Sequence, residues 1–208
     1  MAAYSPQRIG ILGGTFDPPH IGHLILAETA FDVLSLSCVL LVPAADPPHK
    51  HTLAITPIQH RLAMLTQAVA DNPRFVLSDI DIARPGPHYT VDTLRLLQQQ
   101  YPDAELYFLL GGDSLRDMPT WYDPAGIIAQ AKVAVMGRPG ATLDLPTLEA
   151  DLPGITTRLM FVESPLIDIS ATLLRERLRK GHSIRYLVPE VVERYIVENA
   201  LYRDNNHA

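Results

Sequence analysis

The 208-residue sequence has a single cysteine, Cys38, so one chain can build neither a disulfide framework nor a cysteine-ligated zinc site. No apolar run approaches the ~20 residues needed to span a bilayer. The first eight residues lack the charged-then-apolar pattern of a secretory signal. The expectation is a soluble, cytoplasmic protein with no membrane partner. Positive charge is also scarce. Lys and Arg number 17 against 23 Asp and Glu, for a formal charge of −6, whereas a nucleic-acid coat carries a basic excess. No nucleic-acid partner is expected, although a small anionic substrate needs only a local positive site. Charged residues make up 19% and hydrophobic ones 47%, which excludes a disordered chain. Proline is the abundant exception: its 18 residues are scattered and read as loop punctuation. At this length about 70% of the unfolded surface can be buried without staples. No composition shift, repeat or low-complexity tract divides the chain, so residues 1–208 read as one domain. A homo-oligomer is compatible with this composition.

Short apolar runs alternate with helical periodicity. Arg8 to Leu12, Cys38 to Val42, Phe75 to Leu77, Glu105 to Leu110, Lys132 to Met136 and Arg158 to Val162 read as strands. The first ends at Gly13-Gly14, read as a tight turn. Between the strands, Leu24, Ala27, Phe31 and Leu34 recur at helical spacing. Thr56 reads as the cap of a helix with Pro57 early in it, and Thr90 as the cap of Val91 to Tyr101. A short helix is expected from Asp113 and another over Pro124 to Ala131. Gly137 to Thr157 reads as a long loop, with terminal helices over Leu173 to Lys180 and Pro189 to Asn199. Continuous apolar strands separated by helices predict an α/β fold: one doubly wound, mainly parallel sheet with C-terminal helices. In such sheets ligands bind beyond the carboxyl ends of the strands, where strand order reverses. Two glycine pairs, Gly13-Gly14 and Gly111-Gly112, stand at strand ends of that kind.

The segment Gly13-Gly14-Thr15-Phe16-Asp17-Pro18-Pro19-His20-Ile21-Gly22-His23 matches neither the dinucleotide fingerprint nor a phosphate loop ending in lysine. Its chemistry still suits a phosphate. Glycines let backbone N–H groups approach an anion, and a helix start adds its positive end. His20 and His23, three apart, place two imidazoles on one face as donors. A metal site is the competing reading, but the glutamate of H-E-x-x-H is missing. A second segment, Ile169-Ser170-Ala171-Thr172-Leu173-Leu174-Arg175, opens a helix that Ser170 or Thr172 can cap. Arg175 reads as a first-turn cation, unfavourable against the helix dipole unless an anion lies beside it. Arg177, Arg179 and Lys180 suit a helix C-terminus, with Gly181 just beyond it.

His20-Ile21-Gly22-His23 resembles the HxGH signature of the nucleotidyltransferase superfamily. The longer stretch Gly13 to His20 is similar to the bacterial nicotinate-nucleotide adenylyltransferase family. Ile169 to Arg175 resembles that family's second signature, with Ala171 where many members have serine. Three further segments match: Pro47-Pro48-His49-Lys50, Tyr89-Thr90-Val91-Asp92-Thr93-Leu94, and Gly111-Gly112-Asp113-Ser114 followed by Trp121-Tyr122. The resemblance implies a Rossmann-like fold and transfer of the adenylyl group of ATP to nicotinate mononucleotide, with release of pyrophosphate. It implies that His20 and His23 hold the transferring phosphate, next to Gly13, Gly14, Thr15 and Phe16. Ser170, Thr172 and Arg175 would hold the leaving pyrophosphate with Mg²⁺ carried on ATP, and Gly111 and Asp113 would lie near the ATP ribose. Trp121 would stack on the pyridine ring, with Tyr89 and Tyr122 beside it. Thr90 would meet the carboxylate and Lys50 a phosphate. Alternatives are an adenylyl- or cytidylyltransferase for pantetheine phosphate or nicotinamide mononucleotide, and a non-catalytic nucleotide sensor. A dinucleotide-binding oxidoreductase is disfavoured by the missing fingerprint.

Overall fold

The computed structural model describes residues 7–47, 55–136, 144–165 and 167–203. Among these, six strands form one sheet: Arg8–Gly14 (β1), Cys38–Pro43 (β2), Phe75–Leu77 (β3), Glu105–Gly111 (β4), Lys132–Met136 (β5) and Leu159–Val162 (β6). Their order is β3-β2-β1-β4-β5-β6, and all five pairings are parallel. Parallel strands need crossovers, which the helices supply. The helices are Ile21–Leu34 (α1), Ile58–Val69 (α2), Thr90–Gln100 (α3), Gly112–Asp117 (α4), Pro124–Gln130 (α5), Leu145–Asp151 (α6), Ile155–Arg158 (α7), Ala171–Arg179 (α8) and Glu190–Glu198 (α9).

The period-2 alternation of each strand divides the core into two layers. Leu12, Val39, Leu41, Tyr107, Leu109 and Ala134 join side chains of α1, α2, α8 and α9. Ile9, Ile11, Leu40, Val42, Phe108, Val133 and Val135 join those of α3, α5, α6 and α7. Both faces are therefore covered, which explains why the strands read as unbroken apolar runs. Gly10 belongs to this packing, not to a ligand loop. A Cβ there would lie 2.7 Å from Leu36 Cδ1.

Strand order reverses between β1 and β4, so their carboxyl ends flank the crevice where the fold admits a ligand. Both glycine pairs stand there, but Gly13 and Gly14 are not a turn. They are the last two residues of β1, in register with Val42 and Pro43 of β2, and the chain turns only at Phe16, where φ is 50°.

Other local expectations shift by a residue or more. Tyr89, with extended backbone, occupies the cap position of α3, and Thr90 is its first helical residue. Helix α2 starts at Ile58 with Pro57 before it. Thr56 is no cap, because its N–H donates to Asp17 and its carbonyl accepts from Arg61. Gly111 holds the cap position of α4, while Asp113 inside the helix pairs with Arg116. The expected 137–157 loop contains α6, capped by the Asp144 carboxylate on the Thr147 N–H, and most of α7. Residues 137–143 of that expectation lie outside the described residues. At the other end of the chain, Gly181 with φ 71° ends α8, and Arg177 donates to the Ser183 carbonyl.

Candidate active site

A cavity of about 950 Å³ lies over the ends of β1 and β4. It is lined by His20, His23, Arg175, Gly13, Gly14, Thr15, Phe16, Gly111, Asp113, Ser170, Thr172, Tyr89, Thr90, Trp121 and Tyr122. Residues far apart in sequence thus converge on one volume. Lys50 lies outside the described residues.

One end of the cavity is polar, with His20 buried at its base and His23 and Arg175 half-buried. His20 sits at the cap position of α1, where the positive end of the helix points. Its ring stacks on that of His23, with centroids 3.7 Å apart and planes 27° from parallel. Gly22 makes this possible: a Cβ there would meet His20 Nδ1 at 3.0 Å and Cε1 at 3.1 Å. A side chain at position 22 would press on the His20 ring and require it to shift by a few tenths of an ångström.

His23 Nδ1 accepts from the His20 backbone N–H at 3.1 Å. In neutral His23 this leaves the proton on Nε2, a donor. Phe16 packs edge-on against the same ring at 4.9 Å. His20 is 7% exposed, and its Nδ1 is buried without a hydrogen-bond partner among the described residues. Burial pushes the imidazole pKa down to about 4. The pair is thus not two ready cations. His20 is neutral at pH 7 and offers one N–H, while an anion beside it would favour the imidazolium.

Helix α8 supplies the facing wall. Ser170 is its cap and accepts from the Leu173 N–H at 3.2 Å. Arg175 is the fifth helical residue, beyond the first turn. Its side chain reaches back, as helical geometry directs. There Nη1 donates to the Asp17 carbonyl at 2.7 Å and Nη2 to Thr172 Oγ1 at 3.3 Å. The guanidinium is thus oriented beside the loop that joins β1 to α1.

The other end is aromatic. Tyr89 and Tyr122 stack at 4.3 Å, and Trp121 meets Phe108 edge-on at 6.1 Å. Trp121 is half-buried and packs against the core layer under β4, so it serves both packing and the cavity wall. Thr90 lines the cavity at the start of α3.

Sequence spacing did not expose further buried polar groups, of which Asp81, Thr93 and His88 line the cavity and Arg61 lies behind it. Asp81, 4% exposed, accepts from Thr93 Oγ1 at 2.8 Å and from Arg84 Nη2 at 2.8 Å. His88 Nδ1 accepts from the Asp46 N–H at 2.8 Å, tying the loop after β2 to the approach to α3. Arg61 is 1% exposed, although it stands in α2 among buried Met64, Leu65 and Ala68. Its guanidinium donates to the carbonyls of Thr15, Ala44, Ala45 and Thr56 at 2.7 to 3.3 Å. A charged residue on the apolar stripe of a helix was the available sequence signal.

The comparisons agree with this geometry. Residues 11–177 match the cytidylyltransferase-like family. A protein of Thermomicrobium roseum named "Probable nicotinate-nucleotide adenylyltransferase" is 53% identical over 95% of this chain and 92% of its own length. A Roseiflexus protein of the same name is 48% identical over 96% of this chain and all of its own. Among solved structures, the nicotinic acid mononucleotide adenylyltransferase of Plasmodium falciparum, complexed with NaAD, superposes with a TM-score of 0.77. It does so at 20% identity, over 94% of this chain and 97% of that one, and supports the fold alone. The chain belongs to the cytidylyltransferase-like family and, within it, to the nicotinate-nucleotide adenylyltransferases.

Proposed function

We propose that this protein joins nicotinate mononucleotide to the adenylyl group of ATP, giving nicotinate adenine dinucleotide and pyrophosphate in NAD biosynthesis. One observation carries the reading: a single cavity has a polar end of buried His20 with half-buried His23 and Arg175, and an aromatic Tyr89, Trp121 and Tyr122 end. An oxygen of the acceptor's 5′-phosphate attacks the α-phosphorus of ATP in line. The bond from that phosphorus to the β-phosphate bridging oxygen breaks, and pyrophosphate leaves. The nucleophile is already an anion, so no general base is required. Catalysis rests on positioning and on stabilising charge on phosphoryl oxygens.

His20 and His23 hold the transferring phosphate, and the shift of His20 toward its protonated form as charge gathers beside it strengthens that contact. Arg175, Ser170 and Thr172 with the free N–H groups of α8 hold the leaving pyrophosphate. Among the described residues no three His, Cys, Asp or Glu side chains converge as a metal cage. Mg²⁺ carried on ATP would lie beside Ser170, Thr172 and Arg175 and would neutralise phosphate charge.

Thr90 and nearby N–H groups meet the nicotinate carboxylate, while Trp121 stacks on the ring. A carboxylate only accepts, so a donor-lined pocket satisfies both oxygens, whereas the NH₂ of an amide would face donors. The expected preference is nicotinate over nicotinamide mononucleotide by at least about 10². The test is pyrophosphate release from ATP and Mg²⁺ with nicotinate mononucleotide, nicotinamide mononucleotide and pantetheine phosphate in turn. Release with the first is expected. A preference for either of the others overturns the substrate assignment.

A further inference from the structure

We propose that Tyr202, in the last described turn of the chain, is a positioning residue for the phosphate end: its hydroxyl fixes Asp17, and Asp17 in turn fixes Arg175. The proposal rests on the adenylyl-transfer reading and adds to it a residue outside the cavity lining.

Asp17 carries two jobs at once. Its carboxylate is 3% exposed, and each oxygen has its own donor: Tyr202 OH to Oδ1 at 2.6 Å and the Thr56 N–H to Oδ2 at 3.2 Å. Its main-chain carbonyl accepts from Arg175 Nη1 at 2.7 Å. A side chain anchored at both oxygens cannot rotate freely, so the peptide that orients Arg175 is fixed with it. The same peptide leads through Pro18 and Pro19 into His20.

Arg61 braces this loop through the Thr15 and Thr56 carbonyls; burial disfavours its charge, and the charge of Asp17 offsets part of that. The bracket thus has a cationic side from α2 and a phenolic side from the chain's end.

The chain reaches that place by an uncommon route. After α9, Ala200 and Tyr202 adopt φ of 49° and 64°, a region that disfavours L side chains. The Leu201 N–H to Ile196 carbonyl bond at 3.0 Å holds the turn, and Leu201 and Tyr202 pack against the core. Helix α9 is itself joined to α2 by His60 Nδ1 and Tyr195 OH, 3.0 Å apart. Two helices already linked to each other therefore deliver both sides of the bracket. Burial first, and the Asp17 charge second, push the Tyr202 phenol pKa up, so the group remains a donor.

Tyr202→Phe removes the hydroxyl and keeps the ring. The expected kcat at saturating substrates falls about tenfold, as small misplacements of reacting groups do. The KM for nicotinate mononucleotide moves by less than about twofold, because the aromatic end is not part of the bracket. In an Arg175→Lys background the same change costs less than about twofold, since its path is already broken. Affinity for a non-hydrolysable ATP analogue follows the same pattern, falling about fivefold only when Arg175 is present. The affinity arm needs no acceptor, so it decides the bracket independently of which mononucleotide is the substrate. Unchanged kcat and analogue affinity overturn the proposal. So do equal losses in both backgrounds, which would mark Tyr202 as packing alone.

Discussion

His20, at one end of the cavity, is 7% exposed; Tyr122, at the other, is 58% exposed. Around His20 the polar atoms are held by partners from α1, α2, α8 and the chain's end, and the main chain does much of the holding. Around Tyr122 the surface consists of aromatic rings packed on one another, Tyr89 stacked and Trp121 edge-on to Phe108, half open to water. The difference matches the two tasks. Charge that shifts during reaction needs donors already in place in a water-poor site. A flat apolar ring needs only a flat partner, which can remain near the surface.

If the phosphate end is built from interlocked buried groups, damage there should spread. Arg61→Met leaves four carbonyls short of a donor and Asp17 without its nearby cation. The expected loss is on the order of 3–5 kcal/mol, lowering the melting temperature by roughly 6–20 °C. Thermal denaturation measures it, and a melting temperature close to that of the wild type would remove Arg61 from the framework. His20→Ala acts on chemistry instead. Its kcat should fall by roughly 10²–10³ with little change in either KM. Steady-state kinetics on a folded variant decides this, and a near-normal kcat would exclude the residue.

The burial of His20 also gives stability a pH dependence. Its pKa is pushed from 6.5 down to about 4 in the folded protein. Between these values the unfolded chain binds more protons at this residue, so its contribution is present above pH 6.5 and is lost as pH falls toward 4. Melting temperatures across that window should fall less steeply in His20→Gln than in the wild type; identical slopes would contradict the assignment. The aromatic end should respond most locally. Trp121→Ala should raise the KM for nicotinate mononucleotide about tenfold and leave that for ATP nearly unchanged. Equal rises for both would make Trp121 a folding residue.

The same division explains what could be read from sequence. Apolar runs broken by helical spacing give the strands, and the parallel sheet follows because each run is apolar on both faces. The glycine pairs mark the crevice because they end β1 and β4. Local features of this kind are encoded by neighbours. The Tyr202–Asp17 bond joins residues 185 positions apart, and no local spacing carries it. Arg61 and His88 escaped notice for the same reason. Their partners are mainly backbone carbonyls and N–H groups, which every sequence supplies everywhere. The cap positions of α2 and α3 differ from expectation by one residue because Thr56 and Thr90 are good caps by type, whereas the backbone of the following or preceding residue decides which position is used. Within the expected 137–157 loop, α6 and the start of α7 are too short to show a clear helical period.

The separation of chemistry from recognition is tested most directly by the ratio of kcat/KM for nicotinate mononucleotide to that for nicotinamide mononucleotide. It should be measured in the wild type, His20→Ala and Thr90→Val at saturating ATP and fixed Mg²⁺. His20→Ala should lower both values together and preserve the ratio within about threefold, since the imidazole meets only phosphate. Thr90→Val should compress the ratio by about tenfold, the cost of one lost hydrogen bond to a charged group. A ratio that collapses in His20→Ala, or that stands unchanged in Thr90→Val, would contradict the division of the cavity into a reacting end and a recognising end.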